Sequence, residues 1–216
     1  MLKTKVKASS ITNLTDARYF AAWEAEWLGF NFDAGSEEHI PVQNAIAIKE
    51  WVDGVKIVGE FGAMHSAEDI KATIELVGLD AVQLGMLVES STAIELKNVS
   101  IIKEFVVQND TTEEDIAEHF SNFAACTETF LLDFSKSNFT WEVLQSSEQI
   151  TLNFVRELCQ EFKIIIGMDY SGDMIDDFLE GIIPFGIHVK GGEEEKVGFK
   201  SFDVLDEVFE NLEIFV

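Results

Sequence analysis

Eight short apolar runs rich in β-branched residues recur along the chain, near Lys5 to Ala8, Leu28 to Phe32, Val55 to Gly59, Ala81 to Leu84, Ile101 to Val107, Thr129 to Asp133, Lys163 to Gly167 and Phe185 to Val189. Longer stretches with the 3.6-residue period of amphipathic helices separate them. That alternation marks parallel β/α units, because parallel neighbours need a crossover that a helix supplies. Shared among eight units, 216 residues leave 27 apiece, close to the minimum for a strand, a helix and two short connections. The economical solution is an α/β fold closed as a parallel eight-stranded (β/α)8 TIM barrel, one domain over residues 1–216. The rival is an open doubly wound sheet, which needs fewer strands and carries a glycine-rich first turn. Ser9-Ser10-Ile11-Thr12, after the first run, is not such a turn.

Helix starts are written in capping chemistry. Ser66-Ala67-Glu68-Asp69 precedes Ile70, Ile74 and Val77, and Thr112-Glu113-Glu114-Asp115 precedes Ile116, Phe120 and Phe123. Each pairs a hydroxyl that accepts a free amide with acids that oppose the helix dipole. Pro41 suits a first helical position. Ser201 is predicted to open a last helix docking Phe202, Leu205, Phe209 and Leu212.

Forty acidic side chains against fifteen basic ones give a net charge of −25. Such a field repels phosphate backbones and anionic headgroups, so neither nucleic acid nor a membrane surface is an expected partner. With no apolar run of spanning length and no apolar signal core in MLKTKVKASS, the expected location is cytoplasmic. Cys126 and Cys159 lie 33 positions apart, without metal-ligand spacing. Both are expected to be reduced and structural, and no metal or cofactor is indicated.

In a barrel of this kind chemistry sits where strands end. The candidates there are Ser9, Asp33, Glu38, Glu60, Gln83, Asp133, Gly167, Asp169, His188 and the run Lys190-Gly191-Gly192. Three of them have a structural alternative. Ser9 caps the approach to the first helix or acts as nucleophile or base; Asp133 meets a ligand or a buried partner such as Lys7. His188 is a hydrogen-bonded core residue or a titratable group. His65 and His119 read as solvated.

At this point a resemblance carries further. Lys5-Val6-Lys7-Ala8-Ser9-Ser10-Ile11-Thr12-Asn13 is similar to the KVKICGITN opening of the phosphoribosylanthranilate isomerase family. Leu28-Gly29-Phe30-Asn31-Phe32 resembles its second strand, and Val58-Gly59-Glu60-Phe61 its GVF. Leu79 to Leu84 resembles its LDAVQL, Phe130-Leu131-Leu132-Asp133 its LLLD, and Gly186-Ile187-His188-Val189 with Val197-Gly198-Phe199-Lys200 its GVDVSSG and PGVKD. The resemblance implies a tryptophan-biosynthetic barrel that converts an aminoaldose to an aminoketose. Asp133 then takes the place of the acid that protonates the ring oxygen, and Ser9 the place of the cysteine base.

The departures share a direction. Glu38 stands where the substrate-binding arginine aligns, with His39 beside it, and Met168-Asp169 replaces paired phosphate-binding glycines. The glycine-rich loop after the sixth strand becomes Phe134 to Trp141, keeping only Phe139 and Trp141. Lys190-Gly191-Gly192 still offers amides and an ammonium to a phosphate, although Glu193-Glu194-Glu195 follows. The resemblance so read implies weakened or altered activity on a phosphosugar-like small molecule by a monomer or homodimer. The base is left open between Ser9 and another carboxylate or imidazole such as His188. The alternative is a non-catalytic or re-purposed barrel that binds a different small molecule or a protein.

Overall fold

The computed structural model describes every residue except Lys97, Gly192, Glu193, Val197, Gly198, Phe215 and Val216. Its chain order is β1 (Lys5–Ser9), α1 (Leu14–Ala22), β2 (Trp27–Asn31), α2 (Val42–Lys49), β3 (Lys56–Phe61), α3 (Ala67–Val77), β4 (Ala81–Leu84), α4 (Ser90–Glu95), β5 (Ser100–Val106), α5 (Glu113–Phe123) and β6 (Thr129–Asp133). There follow α6 (Trp141–Ser146), α7 (Leu152–Glu161), β7 (Lys163–Gly167), α8 (Ile175–Ile182), β8 (Gly186–Lys190), a short hairpin of β9 (Glu194–Lys196) and β10 (Phe199–Lys200), and α9 (Asp203–Leu212). Strands β1 to β8 pair in parallel in sequence order, and β1 closes on β8 with Lys7 opposite His188. That closure excludes the open sheet.

The helices begin where capping chemistry places them. Ser66 and Thr112 each accept the amide three residues on, while Asp69 and Asp115 reach back to the cap amides, completing two capping boxes. Ile116, Phe120 and Phe123 are buried, as their spacing requires. Pro41 sits one residue earlier than expected, as the extended N-cap of α2 with φ −60° and ψ 141°. Ser201 likewise precedes the cap residue Phe202 of α9, and its hydroxyl accepts the Asp203 amide at 3.3 Å.

Alternate residues of each strand face the barrel axis, and they form layers. Trp27, Val58, Ala81, Ile102, Leu131 and Ile165 pack as a separate apolar floor inside the barrel. Two residues further along the same strands come Gly29, Glu60, Gln83, Glu104, Asp133 and Gly167, with Lys7 and His188 from β1 and β8. The barrel is therefore dry at its base and polar towards the carboxyl ends of its strands. The main core lies outside, between the sheet and the helices, where Phe20, Phe120, Phe130, Phe178 and Phe209 are fully buried. Burial of so many rings offsets the ordering entropy that seven crossovers demand.

Candidate active site

A cavity of about 250 Å³ opens above the polar layer. Its walls bring together eight of the sequence-predicted residues, Ser9, Asp33, Glu38, Glu60, Gln83, Asp133, His188 and Lys190. Ser10, Asn31, Glu104 and Lys136 complete its polar lining.

Lys7 is fully buried on β1, and a buried ammonium demands a partner. Glu60 supplies it from β3, its Oε1 lying 2.6 Å from Lys7 Nζ. The same Oε1 accepts the Ser9 hydroxyl at 2.6 Å, and Lys7 Nζ in turn donates to Ser9 Oγ. Gly29 makes the space for this group, since a Cβ there would lie 2.0 Å from Glu60 Oε1. Two alternatives raised from sequence are thereby corrected. Ser9 does not cap the first helix, because Asn13 does so by accepting the Asp16 amide. Lys7 pairs with Glu60, not Asp133.

Asp133, 3% exposed at the end of β6, accepts the Ser135 amide through Oδ1 at 2.9 Å. Across β7, a Cβ on Gly167 would lie 2.8 Å from both Asp133 Oδ1 and His188 Nδ1, so only glycine leaves room for the two. His188 is buried, and burial holds its imidazole well below the usual range, with Lys7 and Lys190 adding to the effect. Its Nε2 and Gln83 Oε1 are buried without a hydrogen-bond partner among the described residues. Two such atoms beside one cavity are groups a ligand would satisfy.

At the rim, Glu38 does not stand as an isolated negative charge. Ser10 donates its hydroxyl to Glu38 Oε2, and Lys190 Nζ lies 3.5 Å from Oε1. The repulsion expected at Glu38 is thus partly compensated, while the ammonium expected to hold phosphate is engaged there. Asp169 and Gly191 line a neighbouring cavity of about 550 Å³ with Ser201 and Asp203, and Lys190 borders both spaces. Gly192 lies outside the described residues.

Sequence reading missed Glu104 and Lys136. Glu104 is hidden within the apolar run Ile101 to Val107, yet strand alternation carries the signal, because Ile102 and Glu104 share a face and Ile102 belongs to the barrel floor. Burial first, then the Glu60 and Asp133 charges, push its carboxyl up to about 7, against the opposing pull of Lys7 and Lys103. Lys103 faces outward, fully buried, and donates to the carbonyls of Gly85, Met86 and Val88 at 2.7, 3.1 and 2.8 Å. It pins the loop that carries Gly85 to the cavity wall. His119, expected to be solvated, instead packs its ring 4.9 Å from Phe105 and 5.0 Å from Phe123. Among the described residues, no three His, Cys, Asp or Glu side chains gather as metal ligands.

Comparison with known proteins meets this geometry. The family model described as N-(5'-phosphoribosyl)anthranilate (PRA) isomerase matches residues 6–211. The chain belongs to the phosphoribosylanthranilate isomerase family. It is similar to N-(5'-phosphoribosyl)anthranilate isomerase of Leptospira interrogans, 26% identical over 212 residues that cover 92% of this chain and 89% of the relative. The Chlorobium luteolum protein of the same name is 26% identical over 214 residues, covering 93% of each. Among solved structures, phosphoribosyl anthranilate isomerase from Thermotoga maritima shares the fold, with a TM-score of 0.76, 23% identity and coverage of 97% and 98% of the two chains. By the resemblance of the opening motif to KVKICGITN, Ser9 aligns with the cysteine and Ser10 with the glycine. Ser10 has φ of 58°, a left-handed conformation that glycine adopts freely and serine only with strain.

Proposed function

We propose that the chain catalyses the aminoaldose-to-aminoketose isomerisation of tryptophan biosynthesis, with turnover of N-(5'-phosphoribosyl)anthranilate weakened by its altered rim. The observation that carries this reading is Asp133 at the end of β6, buried yet opening on the cavity, beside His188 and across the barrel from the Lys7-Ser9-Glu60 group.

In the proposed reaction Asp133 gives a proton to the furanose ring oxygen. The C1–O bond breaks, and the nitrogen lone pair forms a C1=N⁺ double bond. A base then removes the C2 proton, and the electron pair released forms C1=C2 while the nitrogen regains its lone pair. Transfer of the C2 hydroxyl proton to C1 yields the ketone, so the sequence is redox-neutral and needs no cofactor. Gln83 Oε1 and His188 Nε2, which lack partners among the described residues, would take up hydrogen bonds with sugar hydroxyls. Lys136 and Lys190 supply the positive charge at the rim.

Substrate affinity is where the site has moved. Asp33, Glu38, Glu60, Glu104 and Asp133 line the cavity against Lys136 and Lys190. An unfavourable charge pair at contact costs about 1 kcal/mol in water and about 4 in a partly screened site, enough to erode micromolar binding. That imbalance supports a second reading, in which the barrel is re-purposed for a neutral or cationic amino sugar. Complementation separates the two. Expression in a tryptophan auxotroph lacking the isomerase should restore slow growth, and Asp133→Asn should abolish it. Absence of growth from a well-expressed, folded protein would overturn the isomerase reading.

A further inference from the structure

We propose that Glu104 is the base that removes the C2 proton, serving from β5 the role that a thiol would serve at Ser9. This inference rests on the isomerase reading and identifies the group which that reading leaves open.

Position comes first. Glu104 belongs to the polar layer and lines the cavity with Asp133, its side chain directly above the floor residue Ile102. Gly85 borders the carboxyl, since a Cβ there would lie in ordinary contact with Glu104 Oε2 at 3.6 Å.

The other carboxylates of the cavity are engaged. Glu60 Oε1 accepts from both Lys7 and Ser9, Glu38 from Ser10 beside its ion pair with Lys190, Asp33 Oδ1 from the Gly35 amide, and Asp133 Oδ1 from the Ser135 amide. No described residue donates a hydrogen bond to the Glu104 carboxyl. Ser9 is an unsuitable base because Glu60, the carboxylate that would have to take its proton, is held in the ion pair with Lys7, whose ammonium also donates to the Ser9 oxygen. His188 is unsuitable because burial depresses its proton affinity.

The groups facing Glu104 are Lys7 from β1, Glu60 from β3, neutral Gln83 from β4, Asp133 from β6 and His188 from β8, with Lys103 on its own strand and Asp33, Glu38, Lys136 and Lys190 at the rim. Burial is the largest cause and, with the Glu60 charge, opposes the two inner lysines; Asp133 adds its own charge once it has given its proton to the ring oxygen, which is the moment at which Glu104 must act. The carboxyl so raised to about 7 is partly ionised at neutral pH and a stronger base than an ordinary carboxylate. In the step itself Glu104 Oε takes the C2 proton, the C–H electron pair forms C1=C2, and the carboxylic acid formed releases its proton to close the cycle.

The test is steady-state turnover of N-(5'-phosphoribosyl)anthranilate from pH 5 to 9 by wild type, Glu104→Gln, Glu104→Asp and Ser9→Ala. In wild type, kcat should rise along a limb centred near 7. Glu104→Gln should lose about 100-fold or more in kcat with KM changed less than about threefold, and should lose that limb. Glu104→Asp, which keeps a carboxylate, should retain the limb at reduced kcat, and it decides the matter if the glutamine variant does not fold. Ser9→Ala should keep the limb whatever its effect on rate. Turnover by Glu104→Gln with the limb intact, or a limb that vanishes only in Ser9→Ala, would overturn the assignment and leave the isomerase reading standing. A wild type without turnover would overturn both.

Discussion

Glu104 pays for its reactivity in stability, because a carboxyl whose proton affinity rises on folding favours the protonated fold. Its folded value near 7 lies above its reference value of 4.5. The contribution is therefore fully present below the unfolded value and is lost as pH rises through 7. At about 1.4 kcal/mol per unit, discounted for solvent in the cavity, the loss between pH 4 and pH 8 is about 2–3 kcal/mol. Glu104→Gln removes this dependence. Urea unfolding at the two pH values should show the variant gaining on wild type by that amount at pH 8, and equal differences at both would contradict the charge environment described for β5. The neighbouring Ser10 carries a second cost, a left-handed backbone at φ 58°. Its hydroxyl offsets part of that cost by binding Glu38.

Among the elements, the strands were legible because their period is short and their composition sharp, so each run lies within two residues of the observed strand. Helices with full stripes, such as α5 with Ile116, Phe120 and Phe123, were equally clear. The six-residue α6 was not, since fewer than two turns cannot display a stripe. Of the site, Asp133 and Ser9 were legible from their strand ends and the family resemblance. The Glu60 partnership with Lys7 was not, because it joins residues 53 positions apart and depends on the space left by Gly29. Lys103 was hidden for a similar reason, as its partners are three main-chain carbonyls. Lys103→Met keeps the volume but leaves those carbonyls unpaired, and should cost about 2 kcal/mol or more in equilibrium unfolding. Faster hydrogen exchange at Met86 to Val88 should accompany the loss. An unchanged midpoint would show that the loop holds itself.

For the whole molecule, a net charge of −25 sets the terms on which any anion reaches the cavity. Repulsion of that kind is screened by salt over about 10 Å at 0.1 M. The KM for a phosphorylated, carboxylated substrate should therefore fall several-fold as ionic strength rises from about 20 to about 200 mM, with kcat little changed. A KM that rises with salt would mean that Lys136 and Lys190 dominate the approach. The account turns on whether this carboxylate-rich barrel mouth still performs its family's rearrangement. The most direct measurement is the initial rate of conversion of N-(5'-phosphoribosyl)anthranilate by the purified wild-type protein, with Asp133→Asn as control. The account predicts saturable turnover at elevated KM that falls at least about 100-fold in kcat in the control; no conversion above the uncatalysed rate by the folded wild type would contradict it.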